Sequence, residues 1–131
     1  MPDISRESCE GVFCQNREEA EKHGPGAFWY WWDEDVPEEK REFPRDVRFV
    51  YIVMPVRWSQ VYEHDAQRKS EILPEYDRPV PINWATHHPK NAVLPHHWQL
   101  TGTPRRPTLH PSLYWTDVWH GWLQDGYLRS C

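Results

Sequence analysis

One segment of the chain is apolar almost without interruption: "VRFVYIVMPV", from Val47 to Val56. β-branched and aromatic residues dominate it, and continuous apolarity over so short a run predicts a central strand covered on both faces. Pro55 limits it, because proline has no N–H to give to a ladder. A second run, "AFWYWW" at 27–32, is aromatic from Phe28 onward and is bounded by Gly26 and the acidic stretch after it. As a strand it sends Phe28, Tyr30 and Trp32 to one side and Trp29 and Trp31 to the other. Such a strand is either buried on both sides or has one core face and one exposed binding face.

The remaining pattern is shorter-ranged. Residues 1–26 read as a polar leader with an imperfect cap at Ser5. Within it "NREEAEKHG" predicts a short helix, with Asn16 as its cap, Glu18 and Glu19 in the first turn, Lys22 and His23 in the last, and Gly24 as its stop. Asp33 to Arg45 is a charged connection. Arg57 to Leu73 fits a helix with Trp58, Val61, Tyr62 and Ala66 on one stripe, although a strand ending near Tyr62 fits as well. Pro74 to His97 carries five prolines and reads as an ordered loop with a short strand near "PINWA". A loop of that length in a compact domain is commonly a lid or binding loop.

The carboxyl-terminal third predicts strands and turns. "HHWQLTG" ends at Gly102, and "RPTLHPSLYW" is an extended edge punctuated by prolines. "WHGWL" and "YLRSC" form a hairpin about Asp125-Gly126, a dipeptide suited to a turn with positive φ at both positions. The expected fold is therefore α+β and β-rich. It consists of a small twisted antiparallel sheet or partly closed barrel with one or two short helices, a leader at 1–26 and a single domain at 27–131.

Composition refines this picture. A length of 131 residues suits one domain. The 9 tryptophans supply the apolar area that few aliphatics would otherwise leave missing, at roughly 150–250 Å² per buried ring. A net charge of −5 argues against nucleic acid or an anionic membrane as the main partner. No apolar run approaches the roughly 20 residues of a membrane span. The first residues lack the basic and apolar regions of a secretory signal, so a cytoplasmic location is expected. The odd cysteine count (Cys9, Cys14, Cys131) favours reduced thiols.

Several residues are candidates for chemistry. His120 lies between Trp119 and Trp122 and could act as acid, base or ligand; Asp117 could orient its ring. A histidine hydrogen-bonded within a β core is the commoner situation. The pairs His87-His88 and His96-His97 make a cluster conceivable, with His87, His97 and His120 as metal ligands and zinc as the implied cofactor. Adjacent strand residues face opposite ways, so one member of each pair at most reaches a single ion. Thr108 and Ser112 are hydroxyl candidates near His110, but no nucleophile elbow is present, and an extended edge with hydroxyls bonded to the backbone is the simpler account. Trp84, Trp98, Trp115 and Trp122 with Arg105 and Arg106 could frame a ligand-stacking pocket, although indoles more often belong to the core.

The block Trp98, Gly102, Pro107-Thr108-Leu109, Pro111-Ser112, His120 with Trp122, and Asp125-Gly126 resembles a family of small bacteriophage and prophage proteins of unknown function, sometimes labelled ammonia monooxygenase. The resemblance spans roughly the last 35 residues. Many relatives carry a cysteine where this chain has Trp119, and some carry a paired-cysteine motif that Cys9 and Cys14 do not reproduce. It implies a phage origin, the cytoplasm of a host cell, and a non-enzymatic accessory protein that binds a host protein or small ligand through an aromatic surface, as in counter-defence. A small metal-dependent hydrolase or nucleotide-acting enzyme built on the histidines, and a nucleotide-sequestering protein, are the alternatives. Neither oligomeric state nor ligand identity follows from the residues.

Overall fold

The computed structural model describes residues 8–131, and the expected cap at Ser5 lies outside them. The chain forms two open sheets over a common core, where one sheet or a partly closed barrel was expected. The first has five strands in the order β1 (Cys9–Glu10), β9 (Tyr127–Ser130), β8 (Trp119–Gln124), β7 (Pro107–Trp115) and β6 (Gln99–Gly102). The second has four: β2 (Val12–Phe13), β3 (Ala27–Trp32), β4 (Val47–Arg57) and β5 (Pro79–Ala85). All named pairs are antiparallel except β2 with β3. The stretch read as a leader thus places a short strand in each sheet and hydrogen-bonds to the final hairpin, Gly11 N to Gly126 O at 2.9 Å.

The helices are short. α1 (Arg17–His23) is capped as expected: Asn16 Oδ1 accepts from Glu19 N at 2.8 Å, and Gly24 ends the helix at φ 94°. The single helix considered for Arg57 to Leu73 is broken into α2 (Trp58–Val61) and α3 (Ala66–Ser70). Asp65 restarts the helix by accepting from Arg68 N at 3.1 Å, so a capping residue divides what the apolar stripe joined.

Both faces of β3 behave as alternation requires. Phe28 and Tyr30 are buried in the core, and Trp32 packs against it. On the reverse face Trp29 packs with Ala20, Ala27, Tyr51 and Val53 beneath α1, while Trp31 is exposed. β4 is interior, between β3 and β5, as its apolarity predicts. β7, expected at an edge, is interior as well, between β8 and β6. Its prolines are tolerated because Pro107 opens the strand and Pro111 falls where pairing with β8 is interrupted and pairing with β6 has ended. Leu100, Leu109, Leu113, Trp119, Leu123 and Leu128 bring the inner face of the first sheet onto Val50, Ile52, Met54 and Trp84 of the second.

The proline-rich segment between β5 and β6 is ordered by polar ties. Asn91 is fully buried; its Nδ2 donates to Arg48 O at 2.8 Å and to Thr86 O at 3.0 Å. His88 Nε2 meets Asp33 Oδ2 at 3.0 Å, and His88 Nδ1 accepts from Lys90 N at 3.0 Å. Lys90 Nζ reaches both Asp33 and Asp35 at 2.5 Å. The Lys90 hydrogen bond, the Asp35 N–H and the nearby positive charge hold the Asp33 carboxyl down at about 2.

Two measurements test this framework. The depressed Asp33 group stabilises the fold above the ordinary aspartate value, roughly pH 4, and that contribution disappears as pH falls towards about 2. The thermal midpoint should therefore drop across that window more steeply in the parent protein than in Asp33→Asn. At Gly121 an added Cβ would lie 2.0 Å from Arg129 O and 2.7 Å from the Trp119 ring. Gly121→Ala should cost about 1–3 kcal/mol in denaturant unfolding, the usual penalty of overpacking.

Candidate functional site

The β7–β8 hairpin shows how alternation builds a site. Leu113 pairs with Gly121, Tyr114 with His120, and Trp115 with Trp119. Leu113, Trp119, Gly121 and Leu123 are buried on the inner face. Ser112, Tyr114, His120 and Trp122 consequently share the outer face. Ser112 and His120 are diagonal neighbours there, close enough for a long side chain to bridge. Between the Leu109↔Leu123 and Leu113↔Gly121 pairs β7 carries extra residues, an irregularity that includes the cis His110–Pro111 peptide. Such a bulge re-aims side chains.

The result is a serine–histidine pair: Ser112 Oγ lies 3.2 Å from His120 Nε2. That nitrogen can accept the hydroxyl proton when the ring carries its own proton on Nδ1. Tyr114 and Trp122 flank the imidazole, with ring centroids at 5.1 and 5.8 Å. Trp98 fixes the serine from below, its Nε1 donating to Ser112 O at 3.1 Å. Trp98 is itself held edge-on against buried Trp84 at 5.1 Å. Its backbone is bound by Trp98 N to Ala85 O at 2.8 Å and His87 N to Trp98 O at 3.0 Å.

A groove of about 430 Å³ opens over the serine, with Pro95 to Trp98 on one wall and Pro111, Ser112, Tyr114 and Thr116 on the other. Pairing between β6 and β7 ends at Gln99↔His110. Beyond that point, among the described residues, no strand pairs with β7 on the groove side, where Trp98 Nε1 meets Ser112 O.

The other candidates are distributed over the molecule. Asp117 stands at φ 62° in the turn between β7 and β8, where Val118 N donates to Trp115 O at 2.9 Å. Among the described residues no hydrogen bond joins Asp117 to His120, so its local role is in the turn. Thr108 Oγ1 accepts from Asp125 N at 2.9 Å, a backbone tie of the kind expected for it. His110 pairs opposite Gln99 and is exposed. Trp84 and Trp98 meet, Trp115 packs against the core, and Trp122 accompanies His120. Arg105 and Arg106 line a different pocket with Phe13 and Asp125, the Arg105 guanidinium lying over the Phe13 ring at 5.2 Å. They and the tryptophans do not frame one cavity. His87 and His97 come together by their Nδ1 atoms, while His120 is engaged with Ser112. Among the described residues no group of three or more His, Cys, Asp or Glu is placed to hold a metal ion. Cys9, Cys14 and Cys131 are free thiols, and burial pushes Cys9 up to about 11.

A serine hydroxyl within hydrogen-bond reach of an imidazole, with the serine on the wall of an open groove, is the arrangement that activation of a hydroxyl nucleophile requires. Residues 80–131, less than half of the chain, match the model of a family described as "Bacterial ubiquitination-like system serine protease (BubE)". The matched segment contains Trp98, Ser112 and His120 together with the whole block that carried the phage-protein resemblance. No curated protein and no solved structure matches the chain.

Trp98→Phe keeps the ring and removes the N–H. It should cost about 0.5–1.5 kcal/mol in unfolding free energy, the net value of one hydrogen bond, and nuclear magnetic resonance should show the largest amide shifts around Ser112.

Proposed function

We propose that the chain is a serine peptidase in which Ser112 is the nucleophile and His120 its general base. The observation that carries this reading is the 3.2 Å approach of Ser112 Oγ to His120 Nε2 on the outer face of the hairpin. The serine-protease family whose model residues 80–131 match supports it.

In the acylation step Ser112 Oγ attacks the substrate carbonyl carbon while its proton passes to His120 Nε2. The tetrahedral adduct collapses, the C–N bond breaks, and the imidazolium returns the proton to the leaving amine. Water, deprotonated by the same nitrogen, then releases the acyl group from Ser112. The groove beside Ser112, where β7 is no longer paired with β6, has room for an extended peptide segment. The groove walls, formed by prolines, histidines and Trp98, would hold that segment. The substrate proposed is therefore an extended, solvent-accessible peptide tail. Attachment of such a tail to a protein in a ubiquitination-like system would fit the family description.

A second reading retains a phage accessory protein that binds a host protein through aromatic residues. It is favoured by Trp31 and Trp58, both exposed, the first stacked on Trp29 at 6.0 Å and the second on Tyr62 at 6.3 Å.

The two separate experimentally. A fluorophosphonate probe should label the parent protein on Ser112, identified by mass spectrometry, and should not label Ser112→Ala. His120→Ala should slow labelling by about 10²–10⁴-fold, the usual contribution of general-base catalysis. Equal labelling of Ser112→Ala would remove the peptidase proposal and leave the binding reading.

A further inference from the structure

The parallel bridge between Thr86 and Trp98 has a second product besides the fixed indole. It runs through Trp98 N to Ala85 O and His87 N to Trp98 O, and the side chains of His87 and His97, which flank it, meet. Their imidazoles cross at 82° with centroids 4.5 Å apart, and the two Nδ1 atoms face each other in direct contact. With the proton on one Nδ1 the pair is joined by an N–H···N hydrogen bond, and with both rings protonated on Nε2 the two Nδ1 lone pairs are offered together to a cation. A proton satisfies one such pair, and a divalent metal satisfies it better, because neutral imidazole is among the commonest transition-metal ligands.

The neighbouring histidines do not compete for the position. His88 is buried and committed to Asp33 and the Lys90 N–H. His120 is committed to Ser112. His87 is exposed and His97 half-buried, so either ring can turn to admit an ion. With zinc–nitrogen bonds of about 2.0–2.1 Å the nitrogens need separate only to about 3.3 Å around a tetrahedral ion. Among the described residues no third His, Cys, Asp or Glu joins them, so water or a ligand must fill the other coordination positions.

We propose that His87 and His97 form an exchangeable two-histidine clip for a late first-row divalent metal, beside the groove that His97 shares with Ser112. Two protein ligands make it a modest site, tuned as the metal series is tuned, with copper above nickel and zinc and manganese last. Metal competes with protons for imidazole nitrogen, so acid weakens binding at such a site. The clip does not depend on the peptidase reading.

Metal-stripped full chain, carrying Cys131→Ser to remove the exposed thiol, would be titrated with nickel and zinc by calorimetry at pH 7.5 and 5.5. Copper binding would be followed in parallel by electron paramagnetic resonance. The expected result is one saturable site, a copper signal split by two nitrogen ligands, and binding at least tenfold weaker at pH 5.5. His87→Asn and His97→Asn should each weaken it at least tenfold with an unchanged circular dichroism spectrum, while Ser112→Ala and His96→Asn bind as the parent. Absence of saturable binding, or affinity unchanged in both His87→Asn and His97→Asn, overturns the proposal. Normal metal binding by an enzyme that fluorophosphonate cannot label would overturn the peptidase alone.

Discussion

The structure depends on the burial of one face of the β7–β8 hairpin against the second sheet. Leu113, Trp119 and Leu123 are almost wholly removed from water, and Gly121 leaves room for the Trp119 ring. Strand side chains alternate with a period of two, so a slip of one residue would expose this set and drive Ser112 and His120 inward. The energy that prevents the slip is hydrophobic, of the order of 1.5–3 kcal/mol for each fully buried large aliphatic. The Ser112–His120 pair therefore owes its place to side chains on the opposite face of the hairpin. The Asp125-Gly126 turn, at φ 49° and 76°, fixes the next pairing and transmits the same register to β9.

The second support comes from the proline-rich connection. It has little regular structure, yet buried Asn91, the Thr86 hydroxyl bonded to Val47 O at 2.6 Å, and the Asp33–His88–Lys90 group tie it to the ends of β3 and β4. These ties place Trp98 under the serine. Polar groups buried in a connection need such partners, because an unsatisfied donor or acceptor away from water is costly. Charges on two separate segments, at 33–35 and 88–90, thereby help to hold the connection that carries Trp98 to the Ser112 carbonyl.

Much of this was legible from residue order. β4, the two faces of β3, the capped first helix and the final turn follow from local propensity and period. The division into two sheets was not legible, because it depends on pairings such as Cys9 with Leu128 that no local pattern encodes. β7 read as an edge because its prolines cannot continue a ladder, whereas the actual ladder is interrupted at Pro111 and so avoids the conflict. His120 and Ser112 were both recognised as chemical candidates, but His110 was weighed as the partner of the serine because it is closer along the chain. The signal that would have joined the right pair was a turn at Thr116 to Val118, which folds 115 onto 119 and brings 112 diagonally to 120. Asp117 was read as a residue for the histidine when its positive φ serves that turn.

The outward orientation of the pair has a further consequence. Ser112 lies on the face of an open sheet, in a groove with Tyr114 largely exposed beside it. An ester formed there would stand in contact with bulk solvent. With water at tens of moles per litre around it, the proposed intermediate would be broken down by water before a second amine could capture it, so the proposal is one of cutting bonds, not of making them.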